Sequence, residues 1–161
     1  MVQEDIHAVQ EAIDWLDDKV KYITKRYSGP KILKEVGFDL SRIHPELWGT
    51  SDVVIYTEDF SFLGVYDYKH GKSIVNAEEN LQLMYYALGA INFLARKHID
   101  TFGWGHVFRN IELGIIQPRV KRKKGSVRLW EPKASRLDDF AVGLQQKARA
   151  TEGSKEYEAG K

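Results

Sequence analysis

Asp67, Lys69 and the run Gly71-Lys72-Ser73 fall within one short stretch, "DYKHGKS", and their residue types suit two different chemistries. The last three match the end of a phosphate-binding loop, G-x-x-x-x-G-K-[ST], which follows a strand and opens directly into a helix. The early glycine of such a loop would fall at position 66, which is Tyr66, and Gly64 lies two residues too early. That glycine lets the backbone turn so that its N–H groups converge on phosphate. A tyrosine there removes the reason the loop works, and the next helix signal begins only at Asn76.

The second chemistry needs acidic residues and a lysine in one small volume. Residues two apart in a strand share a face, so Asp67 and Lys69 project together with Tyr68 opposite. Asp52 opens the strand expected to pair with that segment, which brings it to the Asp67 end. Two carboxylates there suit a hard cation such as Mg²⁺ bound through oxygen. Such a cation polarises a phosphoryl oxygen and lowers the pKa of a bound water. Lys69 would orient or deprotonate that water, or offset charge on the phosphorane. On the next helix, Gln82 and Tyr86 are four residues apart and share a face.

The elements that must position these residues follow from patterning. Ile6, Val9, Ile13, Leu16, Val20 and Ile23 form one helical stripe expected to pack on the core, closed by "SGP" from Ser28 to Pro30. "ILKEVGFDL", Ile32 to Leu40, reads as a strand. Val53 to Tyr56 and Phe62 to Lys69 read as two strands about a polar turn, Thr57 to Ser61. A second long helix is expected from about Asn76 to His98, with Asn76 as N-cap and Glu79 completing a capping box. "TFGWG" is a loop, Ile111 to Val120 a strand, "KRKKG" a turn, and "SVRLWEP" an antiparallel return. Leu137 to Ala148 reads as a last short helix. The order is that of an α/β domain with a small mixed sheet flanked by helices.

The chain has 161 residues, enough for one domain with a core, and residues 1–150 are expected to form it. The polar segment 151–161, "TEGSKEYEAGK", reads as a frayed or disordered tail. No apolar run approaches the ~20 residues a membrane span needs, and the N-terminal residues lack the pattern of a signal peptide. Cysteine is absent, which excludes disulfides, thiolate zinc sites, iron–sulfur clusters and cysteine nucleophiles, and fits a cytoplasmic protein. Net charge is +1, so any nucleic-acid binding must come from local basic patches.

Three ordered segments carry a resemblance: Gly49-Thr50-Ser51-Asp52, Asp67-Tyr68-Lys69-His70-Gly71-Lys72, and Asn80-Leu81-Gln82-Leu83-Met84-Tyr85-Tyr86-Ala87-Leu88-Gly89-Ala90. Together they resemble the PD-(D/E)XK nuclease superfamily, in its RecB-like and lambda-exonuclease-like branch. They are most similar to a phage-encoded family of that branch with G-T-[AS]-D, D-x-K-x-G-K and N-x-Q-L-x-x-Y-A-x-G-A motifs. "IIQPR", Ile115 to Arg119, is similar to that family's later strand, so the likeness covers about residues 32 to 140.

The resemblance implies a restriction-endonuclease-like core and a Mg²⁺- or Mn²⁺-dependent deoxyribonuclease, leaving a 5′-phosphate with no covalent enzyme intermediate. It implies Asp52 and Asp67 as metal ligands, Lys69 as the catalytic lysine, and the Tyr68 backbone carbonyl as a further ligand. Gln82 and Tyr86 match the glutamine–tyrosine pair beside the site, with Tyr85 the competing tyrosine. Glu35 is the best match to the upstream glutamate, and Glu46 is the alternative. Some relatives carry an upstream histidine ligand, for which His7 and His44 are the candidates.

DNA contacts are expected from His70 and Lys72, and from Arg119, Lys121, Arg122, Lys123 and Lys124 at the hairpin tip. Trp48 and Trp104 suit packing better than contact with a DNA end. The resemblance favours an exonuclease working in phage replication or recombination. It also leaves open self-association, an endonuclease, a recombination or single-strand-binding partner, and a module that keeps the fold without catalysis.

Overall fold

Alternating apolar residues on either side of a polar turn build the hairpin at the centre of the sheet. In the computed structural model, which describes residues 3–120 and 125–159 (side chains to 151), these strands are β2, Trp48–Tyr56, and β3, Phe62–Tyr68. The turn is closed by side chains: Asp59 Oδ1 accepts from the Ser61 N–H at 3.1 Å and the Ser61 hydroxyl at 2.6 Å. Thr57 and Ser61 hydroxyls lie 2.8 Å apart beneath it.

Strand β1, Lys31–Asp39, pairs antiparallel with β2 on the outer side. Strand β4, Asn110–Ile116, pairs parallel with β3, and β5, Val127–Trp130, returns antiparallel to β4. The sheet therefore has five strands in the order β1-β2-β3-β4-β5, with three antiparallel pairings and one parallel pairing, β3 with β4. A parallel pair needs a long crossover. Helix α2, Leu81–Phe102, supplies it.

Side chains alternate along β2 and β3, so the sheet has two buried faces. Val54, Leu63, Val65, Leu113 and Ile115 pack under α2. Ile55, Phe62, Tyr66 and Ile116 pack under α1, Gln3–Arg26. The third helix, α3, spans Ala134–Ala159 and adds Ala141, Phe140 and Leu144 to a cluster with Phe38, Leu40 and Leu88. The result is an α/β fold, a mixed sheet flanked by three helices. No helix among the described residues is long and apolar enough to cross a membrane.

Several boundaries differ from expectation. Asn80, not Asn76, caps α2, accepting from the Leu83 N–H at 3.0 Å. Glu79 takes a φ of 55° and stands outside the helix, so the capping box does not form. Both asparagines can cap; Asn80 wins because its Nδ2 also donates to the Asn76 carbonyl at 2.8 Å, closing the turn that precedes the helix. The stripe expected to pack α1 does so in its second half: Ile23 is buried with Leu16 and Val20 packed beside it, but Ile6, Val9 and Ile13 are exposed. The alanines Ala8 and Ala12 face the sheet instead, followed by Trp15 and Leu16, because small side chains let the helix lie close. Helix α3 runs past Ala148 into the polar segment expected as a tail, where Glu, Lys and Ala favour helix and no proline stops it. Residues 160 and 161, and the basic residues Lys121, Arg122, Lys123 and Lys124, lie outside the described residues.

Gly89 sets the distance between α2 and β1. A Cβ there would meet the Phe38 ring at 2.2 Å, so only glycine lets that ring pack against the helix backbone. The same contact fixes where the first turns of α2 stand over the sheet, and those turns carry Gln82 and Tyr86.

Candidate active site

The hairpin register runs Val54 with Val65 and Val53 with Tyr66. One step further out, Asp52 stands across from Asp67, on the face that α2 covers. Their carboxyls are within hydrogen-bonding reach of each other. Asp52 Oδ2 also accepts from the Tyr68 N–H at 2.9 Å, which holds it against the end of β3. Asp67 is 5% exposed. Burial pushes its pKa up to about 6, the neighbouring Asp52 carboxyl adds to the rise, and Lys69 partly offsets it.

Lys69 follows β3 by one residue, its N–H donating to the Ile116 carbonyl at 2.9 Å. Its Nζ lies 2.8 Å from Asp67 Oδ2 and donates to Gln82 Oε1 at 2.7 Å. The contact to Asp67 is a charge contact outside hydrogen-bond alignment, so Asp67 Oδ2 is a buried oxygen with no aligned donor. Gln82 Nε2 donates in turn to Tyr86 Oη at 2.8 Å. Asp52, Asp67, Lys69, Gln82 and Tyr86 thus form one connected group. Tyr85 is not part of it: its hydroxyl donates to the Trp48 carbonyl at 2.8 Å.

The donor set fits a hard divalent cation. Two carboxylates crowded on one face repel each other when both are ionised, and one has a buried oxygen without an aligned donor. Mg²⁺ commonly binds through one or two carboxylates, completing its shell with water and substrate phosphate. Asp52 and Asp67 would hold it, with the Tyr68 carbonyl the further candidate. Among the described residues no group of three His, Asp or Glu side chains gathers at one point. Glu35 is exposed and unpaired, although its neighbours pair as Lys34 with Val53 and Val36 with Ser51, which sets it level with Asp52. It takes a φ of 51°, a region a glutamate rarely adopts. Leu33 packs under α2, and so do Val36 and Phe38; the alternation of β1 reverses at Glu35. Glu46 is exposed, its N–H donating to His44 Nδ1 at 3.1 Å. His7 lies on the exposed side of α1.

The residues expected to touch DNA fall into two groups. His70 and Arg119 face the first turns of α1. Tyr68 O–H donates to His70 Nδ1 at 2.8 Å, and His70 Nε2–H donates to Asp5 at 2.7 Å, the tautomer that satisfies both. Arg119 lies 3.9 Å from both Glu4 and Asp5. Lys72 is exposed and shares a cavity of about 280 Å³ with Glu4, His7, Glu11 and Arg119. Trp48 is 73% exposed, whereas Trp104 packs against two core clusters.

Two residues that the sequence reasoning passed over organise the site. Gln117, 1% exposed, donates to the carbonyls of Gly71 and Ser73 at 2.9 and 2.7 Å and accepts from the Val75 N–H at 3.2 Å. It pins the loop that carries His70 and Lys72. A glutamine closing the apolar run "GIIQP" was the available signal. Asp5 was hidden because a first-turn acidic residue ordinarily serves only the helix dipole. Residues 1–161 match one family model, described as Protein of unknown function (DUF2800).

Proposed function

The chain belongs to the DUF2800 family, and we propose that it is a metal-dependent deoxyribonuclease that hydrolyses phosphodiester bonds with water as nucleophile. The observation that carries this reading is the connected group itself. Asp52 and Asp67 stand on adjacent strands, and Lys69 is held between Asp67 and Gln82. A bound Mg²⁺ or Mn²⁺ would polarise a phosphoryl oxygen and lower the pKa of a coordinated water.

The protein's own residues do the rest. Asp52 and Asp67 supply the negative charge that recruits the cation. Lys69 presents its ammonium beside them, where it orients the attacking water or offsets charge on the pentacoordinate phosphorus. Gln82, braced by Tyr86, limits where Nζ can go. Water attacks phosphorus, the P–O bond to the 3′ oxygen breaks, and the 5′-phosphate remains on the other product. The left-handed backbone at Glu35, level with Asp52, also supports a functional site, since strain of this kind clusters at such places.

The motif resemblance to the RecB-like branch favours an exonuclease of phage replication or recombination, acting in the cytoplasm. Self-association and a recombination or single-strand-binding partner belong to the same reading. One observation favours a second reading, a DNA-binding module of this fold without catalysis: Glu35 is exposed and no third acidic group joins the pair among the described residues.

The test compares linear with covalently closed circular duplex DNA in Mg²⁺, Mn²⁺ or EDTA, with Lys69→Ala beside the wild type. Metal-dependent loss of linear DNA alone, absent in the variant, is the expected result. Cutting of both forms makes the protein an endonuclease. Binding without cutting of duplex, single-stranded or branched DNA favours the second reading.

A further inference from the structure

Beside the candidate active site, helices α2 and α3 flank a groove of about 480 Å³ that shares only Gln82 with the hydrolytic group. Its walls are apolar and partly aromatic: Leu81 and Tyr85 from α2, Phe140 and Leu144 from α3. Leu81 is 62% exposed. Two cations, Arg136 and Lys147, line the same groove together with one carboxylate, Asp139. Arg136 Nε is also tied to Glu79 at 2.7 and 3.0 Å.

Gln82 belongs to both places. It lines the groove, and it accepts the Lys69 ammonium at 2.7 Å. The groove is therefore one side chain away from Lys69. Apolar and aromatic walls with cations among them match a nucleobase and its attached phosphate. Bases stack on aromatic side chains regardless of sequence, and cations follow the backbone. A base can enter a side groove only when it is unpaired.

We propose that the groove between α2 and α3 binds an unpaired nucleobase of a single-stranded DNA end, next to the phosphodiester at Lys69. The proposal rests on the nuclease reading for its position and deepens it by naming the substrate as single-stranded or frayed ends. Trp48, highly exposed and joined to Tyr85 through a 2.8 Å hydrogen bond, extends the aromatic surface beyond the groove.

Gly143 provides the test. It lines the groove, and a Cβ built on it meets nothing within 4 Å, so a side chain can start there and occupy the groove. Leucine also favours helix over glycine, so Gly143→Leu is expected to fold. Fluorescence anisotropy in EDTA, where no cleavage occurs, would measure binding of labelled (dT)₁₂ and of a strand of equal length made of abasic units. The wild type is expected to bind (dT)₁₂ about tenfold tighter than the abasic strand, the scale of one stacked base. Gly143→Leu should lose that preference while keeping its affinity for the abasic strand. Lys147→Ala should weaken both strands alike. The proposal is overturned if the wild type shows no preference for bases, or if Gly143→Leu retains it. It is also overturned if Gly143→Leu changes only the sedimentation of the protein, which would make the groove a self-association face. Because binding is read without hydrolysis, these outcomes are separate from whether the protein cuts DNA.

Discussion

Gln82 accepts the Lys69 ammonium at 2.7 Å, joining α2 to the end of β3 across the open side of the candidate site. Without that bond Lys69 would be a flexible cation held beside Asp67 by charge alone. Replacing Gln82 with Ala removes that restraint and leaves both carboxylates in place. Hydrolysis should fall about 10- to 100-fold, the scale of a misplaced catalytic group. The loss should lie in kcat with KM little changed. Steady-state kinetics on linear DNA would check it; a loss confined to KM would make Gln82 a substrate-binding residue.

Asp67 makes the metal-free protein sensitive to pH. Its folded pKa, near 6, lies above the ordinary value of about 3.9 for an aspartate. The folded state therefore holds a proton that the unfolded state releases between those values. The stabilisation is fully present below about 3.9 and is lost as pH rises through about 6. Asp67→Asn removes the titration. In EDTA, the variant should melt several degrees above the wild type at pH 7.5, with the gap closing toward pH 4.5. A gap independent of pH would contradict the assigned cause.

Gln117 holds the His70–Val75 loop with three backbone hydrogen bonds. Gln117→Leu keeps the size and removes the partner of those partly buried groups. The expected cost is about 1–3 kcal/mol, read from urea midpoints, with faster amide exchange in residues 70–75. Exchange that rises uniformly over the chain would remove the specific role.

Gly89 is required by the Phe38 ring, which a Cβ would meet at 2.2 Å. Gly89→Val should cost about 1–3 kcal/mol through overpacking. Gly89→Ala should cost less, because alanine's better helix propensity offsets part of the clash. A stabilised Gly89→Ala protein would show that β1 yields freely to α2.

The part of the site carried by strand alternation was legible in the sequence. The period of two places Asp52 and Asp67 on one face, and the turn length places them across from each other. The four-residue spacing of Gln82 and Tyr86 is equally direct, and their 2.8 Å bond follows from it. What alternation cannot give is how elements meet. The first half of the α1 stripe faces solvent because Ala8 and Ala12, weak hydrophobes by composition, are the residues buried there, while Leu16, Val20 and Ile23 pack as their spacing predicts. The cap of α2 was misplaced because "NAEEN" offers two asparagines, and the choice depends on the turn before the helix. The reversal of β1 at Glu35 depends on a positive φ that no residue type announces. The Tyr68–His70–Asp5 chain joins residues up to 65 apart and needs the fold to be seen.

The most direct measurement is a time course of acid-soluble nucleotide released from linear DNA by wild type, Asp67→Asn and Lys69→Ala. The wild type should release nucleotide with Mg²⁺ or Mn²⁺ and stop on addition of EDTA. Both variants should be slower by at least about 10²–10⁴-fold, with circular dichroism confirming that they fold. Release by Lys69→Ala at the wild-type rate, or release that continues in EDTA, would contradict a metal-dependent nuclease built on Asp52, Asp67 and Lys69.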